Sequence, residues 1–170
     1  MKLYILTNSE GHYGQRYYPW ESINVAKLVS FLKEYYSVEQ ATFEDVANGM
    51  IDIESSIVIY SSSQQSEYKQ YIEDVLLFLS QKENVLIPSI NMFKSHENKG
   101  YQELHKRLAG VESIPALYLG HFRDVARQAW DFPCVAKKLD GFGSGGVGLV
   151  HSNVEVEKAM CSDEVLLRRG

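Results

Sequence analysis

The sequence predicts an α/β fold in which a parallel sheet is followed by a β-hairpin. Three observations predict it. Short runs that are apolar on both faces recur at Lys2 to Thr7, Ile57 to Tyr60 and Val85 to Ile90, as buried parallel strands require. Stretches of helical period separate them. Further on, two apolar runs, Pro133 to Lys138 and Val147 to Val150, flank a loop holding Gly141, Gly143, Gly145, Gly146 and Gly148.

The first run, KLYILT, ends at Asn8-Ser9-Glu10-Gly11. A loop dense in aromatics follows, from His12 to Trp20. The next stretch predicts a helix from about Ser22 to Tyr35, with Val25, Val29 and Leu32 on one face. Val38 to Phe43 alternates in polarity, so this second strand belongs nearer an edge. Ile57 to Tyr60 is the third strand. Gln65 to Ser80 predicts a helix through Tyr68, Ile72, Val75, Leu76 and Leu79. Val85 to Ile90 is the fourth strand, closed by Pro88 and Asn91. This β-α-β-α-β rhythm calls for right-handed crossovers in one parallel sheet.

Glu97 to Ala109 predicts another helix, with Tyr101, Leu104 and Leu108 inward. A strand at Ile114 to Leu119 and a helix at Phe122 to Trp130 precede the hairpin. After it, Ser152-Asn153-Val154-Glu155 fits a capping box that opens a helix to about Met160. Glu164 to Arg168 is the last strand. The expected organisation is a Rossmann-like parallel-sheet domain at 1–92, linker helices and a strand at 93–131, and a hairpin subdomain at 132–170.

Composition narrows the function. The formal net charge of −5 over 170 residues argues against nucleic acid as the main partner, because phosphate backbones need a basic surface. Hydrophobic content of 45% is enough for a true core. Cys134 and Cys161 lack metal-ligand spacing, and Cys134 sits in an apolar strand. Neither a signal peptide nor a bilayer-length apolar stretch is readable, so a reducing cytoplasm and no membrane partner are expected.

Two regions carry chemistry. Ligands collect at the carboxyl ends of strands in open parallel sheets, and here those ends carry Thr7-Asn8-Ser9, Ser61-Ser62-Ser63 and Ser89. Beside the first end, His12, Arg16 and Tyr17, with Tyr18 and Trp20, could line a substrate pocket or simply pin the loop over the core. The second region is the glycine loop. Glycines permit φ > 0 and let successive N–H groups form an anion-binding concavity, to which a neighbouring lysine adds charge. A polyphosphate fits that description. GFGSGG formally matches G-x-G-x-x-G, but a dinucleotide site needs a helix next, and VGLVHS reads as strand. A Walker loop needs Lys-Ser/Thr at its end, whereas Leu149 follows Gly148. A kinase loop puts its lysine after the glycines. What remains is a hairpin flap with its lysine on the incoming strand. Side chains alternate there, Val135 with Lys137 and Ala136 with Lys138, so one lysine should face the nucleotide and the other solvent.

Pro133 to Lys137, then Gly143 to Gly148 and an apolar strand, resembles the nucleotide lid of the ATP-grasp superfamily. Asn98-Lys99-Gly100, upstream at the start of a helix, is similar to that family's (D/N)-K element. The resemblance implies a pre-ATP-grasp domain, a linker and a partial lid. It implies that Lys99, Lys137, Gly143, Ser144, Gly145, Gly146 and Gly148 hold the phosphates of ATP. Spacing in the family selects Lys137; Lys138 stands where relatives often carry proline or alanine. The implied activity is an ATP-dependent carboxylate–amine or carboxylate–thiol ligation through an acylphosphate, with ATP and small carboxylate and amine substrates as partners. The family's Mg2+ ligands come from a second half beyond the lid. The chain is therefore expected to be the amino-terminal part of a longer enzyme and inactive alone, and exposed sheet edges make a homo-oligomer an expectation. The alternative is a non-catalytic Rossmann-like module that binds a nucleotide or a protein; a dehydrogenase would need a helix directly after Gly146.

Overall fold

The computed structural model describes residues 2–14, 20, 22–61, 66–96, 98–121, 124, 130–138, 146–160 and 165–169. The chain divides into two compact units, Met1–Phe93 and Lys94–Gly170. In chain order the elements are β1 (Lys2–Thr7), α1 (Val25–Leu32), β2 (Ser37–Thr42), α2 (Phe43–Ala47), β3 (Ile57–Tyr60), α3 (Ser66–Ser80), β4 (Val85–Ile87) and α4 (Ile90–Ser95). They are followed by α5 (Lys99–Leu108), β5 (Ala116–Leu119), β6 (Cys134–Lys138), β7 (Val147–Val150), α6 (Asn153–Met160) and β8 (Val165–Arg169). Among the described residues no helix is long and apolar enough to cross a membrane.

In the first unit, β1 is buried at every position after Lys2, and its period of two feeds two cores. Leu3 and Ile5 meet Val25, Leu28, Val29 and Leu32 of α1. Tyr4 and Leu6 meet Phe43 and Val46 of α2 and Ile72, Val75, Leu76 and Leu79 of α3. All pairings are parallel, in the order β2-β1-β3-β4. β2 is thus an edge strand, as its alternation predicts. With helices on both faces, the sheet is doubly wound.

Several local expectations are corrected. α1 is shorter than the predicted 22–35: Asn24 caps it, its Oδ1 accepting from Lys27 N at 2.9 Å, and Tyr35 beyond its end is exposed. Tyr68, expected inward on α3, is 39% exposed. β4 stops at Ile87, and Ile90 instead begins α4, where Ser89 Oγ accepts from Met92 N. α2 has no counterpart in the sequence reading. It is opened by a reciprocal capping box: Thr42 Oγ1 accepts from Asp45 N at 3.0 Å, and Asp45 Oδ2 accepts from Thr42 N at 2.9 Å.

The second unit holds an antiparallel sheet of order β5-β8-β6-β7. One face packs on α6 through Leu119, Cys134, Ala136, Val150 and Val156. Ser152 Oγ accepts from Glu155 N, and Glu155 Oε2 accepts from His151 N, which closes the start of α6. The predicted inner face of α5 is wrong. Leu104 and Leu108 are 44% and 82% exposed, while Gly100 and Glu103 are the buried residues. The cause is a neighbour: the Tyr118 ring of β5 lies against the helix at Gly100, so the turn without a side chain faces the sheet. Glu103, 1% exposed, is paired with Lys106 Nζ at 3.0 Å. The predicted helix at 122–130 lies outside the described residues except for Asp124 and Trp130.

Candidate functional site

β6 and β7 pair antiparallel, Cys134 with Val150, Val135 with Leu149, Ala136 with Gly148 and Lys137 with Val147. Lys138 N donates to Gly146 O at 2.9 Å. The backbone after Gly146 therefore runs into a strand, as a hairpin requires and a dinucleotide fingerprint forbids.

The sheet's two faces separate the two lysines. Cys134 and Ala136 are buried against α6, so the period of two sends Lys138 to that same face. Its stem lies over Gly146: a Cβ built there would stand 2.5 Å from Lys138 Cγ and 2.6 Å from Cδ. Gly146 also has φ of 73°, the left-handed region that favours glycine. Lys137 takes the opposite face and has no hydrogen-bond or ion-pair partner among the described residues.

Registration carries that face across the sheet. Lys137 and Tyr118 both pair with Leu166, so Tyr118 and Lys137 stand in one row, two strands apart. Two strand spacings are about 10 Å. The Tyr118 ring is in turn the surface on which Gly100 rests. α5 thus begins on the Lys137 side of the sheet, with Lys99 as its first residue. Asn98 caps it, Oδ1 accepting from Tyr101 N at 2.9 Å, and Arg107 Nη2 donates to Ala116 O at 3.0 Å. No acidic residue occupies the first turn of α5. A lysine there adds charge to the positive end of the helix dipole, an arrangement that suits an anion.

A cavity of about 250 Å³ opens at the hairpin, lined by Lys137, Lys138, Gly146, Gly148, Val150 and Ala159 among others. Ala136, Val150 and Ala159 place that cavity on the α6 side of the hairpin, and of the sequence-predicted site residues Lys137, Gly146 and Gly148 border it. Lys99 does not line that cavity; it reaches the same sheet through Gly100 and Tyr118. Gly143, Ser144 and Gly145 lie outside the described residues, as do Arg16 and Tyr17. His12 belongs to the first unit, where its N–H donates to Asn8 Oδ1 at 2.7 Å and its Nδ1 lies 3.4 Å from Glu10 Oε2. Burial holds the Cys134 thiol above its ordinary range, which makes it a packing residue rather than a nucleophile. Among the described residues no three His, Cys, Asp or Glu side chains gather as a metal site. Tyr118 is the residue that sequence reasoning missed; the glycine inside the α5 pattern was the signal for a close neighbour.

No family model matches the chain, and no curated protein matches it by sequence. Solved structures do match. One is PurK, an N5-carboxyaminoimidazole ribonucleotide synthetase in complex with ADP: TM-score 0.55, 12% identity, 99% of this chain and 46% of that one. Another is the N5-carboxyaminoimidazole ribonucleotide synthetase of Thermotoga maritima, with TM-score 0.50, 15% identity, and 99% and 45% coverage. A third is a RimK domain ATP-grasp protein of Sphaerobacter thermophilus, with TM-score 0.50, 12% identity, and 100% and 64% coverage. The chain spans roughly half the length of the structures it matches. Its doubly wound sheet, followed by a small antiparallel sheet with a hairpin, is the fold that these structures share with it over that part.

Proposed function

We propose that this chain is the leading, nucleotide-gripping part of an ATP-dependent carboxylate–amine or carboxylate–thiol ligase. In this reading ATP phosphorylates a carboxylate, ADP leaves, and an amine or thiol displaces phosphate from the acylphosphate. The observation that carries the reading is the row through Tyr118 and Lys137, with the start of α5 resting on its far end. It brings Lys137 and the first turn of α5 to one sheet face, which supports a reading with two cations on one polyphosphate.

The roles follow from the chemistry. Lys137 neutralises phosphate oxygens from the sheet side. Lys99 does so from the α5 side, at the positive end of that helix's dipole. Gly146 and Gly148 keep the hairpin backbone bare, so that it can lie close over the phosphates and exclude water. The contribution is alignment and charge stabilisation rather than covalent chemistry. Magnesium, which the fold family implies, finds no gathered carboxylates among the described residues.

Calorimetric titration with ATP tests the reading. A charge-assisted contact is worth about 1.5–3 kcal/mol, so Lys137→Ala and Lys99→Ala should each weaken ATP by about tenfold to a hundredfold. Lys138→Ala, on the α6 face, should weaken it far less. ATP affinity unchanged in both Lys137→Ala and Lys99→Ala would remove the basis for the proposal.

A further inference from the structure

A second cavity, about 390 Å³, opens in the helix layer of the first unit, between α2 and α3. Val46 and Gly49 bound it from α2 and the turn after it, and Tyr71, Asp74, Val75 and Phe78 bound it from α3. The α3 residues recur at helical spacing, in a stripe beside the one that packs on the sheet, Ile72, Leu76 and Leu79. The cavity therefore runs along the flank of α3 rather than across the strand ends.

Its floor is closed and its walls are open. Val46 and Val75 are buried, whereas Tyr71, Phe78 and, just after Gly49, Met50 are 36%, 48% and 78% exposed. Large apolar side chains left in water beside an apolar floor mark an interaction surface. Tyr71 and Phe78 stand seven residues apart, about 10 Å along the helix axis. That span admits two apolar side chains one turn apart on a second helix.

Charge says what covers it. Asp74 lines the cavity with no hydrogen-bond or ion-pair partner among the described residues. The cation beside Phe78 is already engaged: Lys82 Nζ lies 5.3 Å from the Phe78 ring centroid and is paired with Asp52. Residues 1–93 carry twelve acidic and six basic side chains. A second copy of this unit would bring like charge to the groove, and so would an acidic protein. A cationic partner gains from the same field.

We propose that this groove docks a cationic amphipathic helix of a partner protein. Two leucine-sized side chains one turn apart enter between the Tyr71 and Phe78 rings and rest on Val46 and Val75. A lysine or arginine beside them pairs with Asp74, its methylene stem lying along the apolar wall. The inference does not depend on the nucleotide reading, since every residue it uses lies in the first unit.

The test is an NMR titration of the whole chain with a peptide of leucine and lysine in helical period, against the same peptide with glutamate for lysine. The lysine peptide should shift the backbone amides of Gly49, Asp74 and Phe78 and saturate with a Kd on the order of 100 µM, the rank of a small transient interface. The glutamate peptide should bind at least about tenfold more weakly. Phe78→Ser should abolish saturation, and Asp74→Lys should reverse the preference between the two peptides, while the remaining spectrum keeps its dispersion. Equal binding of the two peptides, shifts spread over the unit instead of gathered at the groove, or unchanged affinity in Phe78→Ser or Asp74→Lys would each overturn the proposal. So would the same shifts on raising the protein concentration without peptide, which would assign the groove to a second copy.

Discussion

Replacing Gly146 by alanine tests the geometry of the hairpin directly. Gly146 has φ of 73°, where an L residue costs about 1–2 kcal/mol. The new Cβ would also stand 2.5, 2.6 and 3.0 Å from Lys138 Cγ, Cδ and Cβ. Overlap of that kind costs about 1–3 kcal/mol, with the lower end expected because a lysine stem can swing away. The sum is about 2 kcal/mol of local stability. Lys138 N donates to Gly146 O, so native-state exchange of the Lys138 amide reads the opening of this pair. A 2 kcal/mol loss should speed that exchange by about thirtyfold. Reading one amide also avoids the two-state assumption, which a chain of two units need not satisfy. In a Lys138→Ala background the Cγ and Cδ overlaps vanish, and the cost of Gly146→Ala should fall to about 1 kcal/mol. Gly148, with open space around its Cβ direction, is the control: Gly148→Ala should change stability by no more than about 0.5 kcal/mol. If Gly146→Ala exchanges no faster than Gly148→Ala, or costs the same without the Lys138 stem, the account of the turn is wrong.

Three further outcomes are expected. Gly100→Ala gains up to about 1 kcal/mol in helix propensity. Its Cβ would lie 2.5–2.7 Å from three Tyr118 ring atoms, so the second unit should lose about 1 kcal/mol net; adding Tyr118→Ala should turn that loss into a gain, read by urea unfolding on the β6 amides. Asn84 donates to Ile53 O at 2.8 Å and Leu79 O at 2.9 Å and accepts from Ser56 N at 3.0 Å. Asn84→Ala should therefore destabilise the first unit by about 2–3 kcal/mol, seen as a lower urea midpoint on the β1 amides. Asp45 is held below its ordinary value of 3.8, first by the Thr42 N–H and then by the Thr42 hydroxyl. A depressed folded-state value gives stability that is present above 3.8 and lost as pH falls through the folded value. The α2 amides should lose protection in that acid range, and Asp45→Asn should flatten the dependence.

What the sequence discloses depends on whether the deciding partner is local. The strands of the parallel sheet were legible because a run apolar on both faces has few other uses. The hairpin strands were legible because the glycines between them rule out a continuous element. The α5 face was misread for the opposite reason. Leu104 and Leu108 look like core by type, but the partner is Tyr118, eighteen residues beyond Gly100 and on another element. Periodicity cannot report a contact between segments; only the odd glycine in a helical pattern hinted at it. α2 is too short for a period to show, although Thr42 and Asp45 spell out its cap.

The choice between Lys137 and Lys138 shows how a packing constraint becomes a functional one. Alternation alone says that the two lysines part company, not which goes where. The decision is made earlier on the same strand, by Cys134 and Ala136, which are 0% and 4% exposed beneath α6. A slip of one residue in register would carry Val135 and Lys137 into that core and lift Cys134 and Ala136 out of it. That core holds Val150 and Val156 on its other walls, so a lysine there would lose hydration. Lys138 escapes this fate only because it lies at the strand end, where its stem can lie over Gly146 and its ammonium can reach water. The same small residues that pack α6 therefore aim Lys137 at the Tyr118 row. Enlarging Ala136 would disturb the proposed phosphate grip from the opposite face, without touching a ligand.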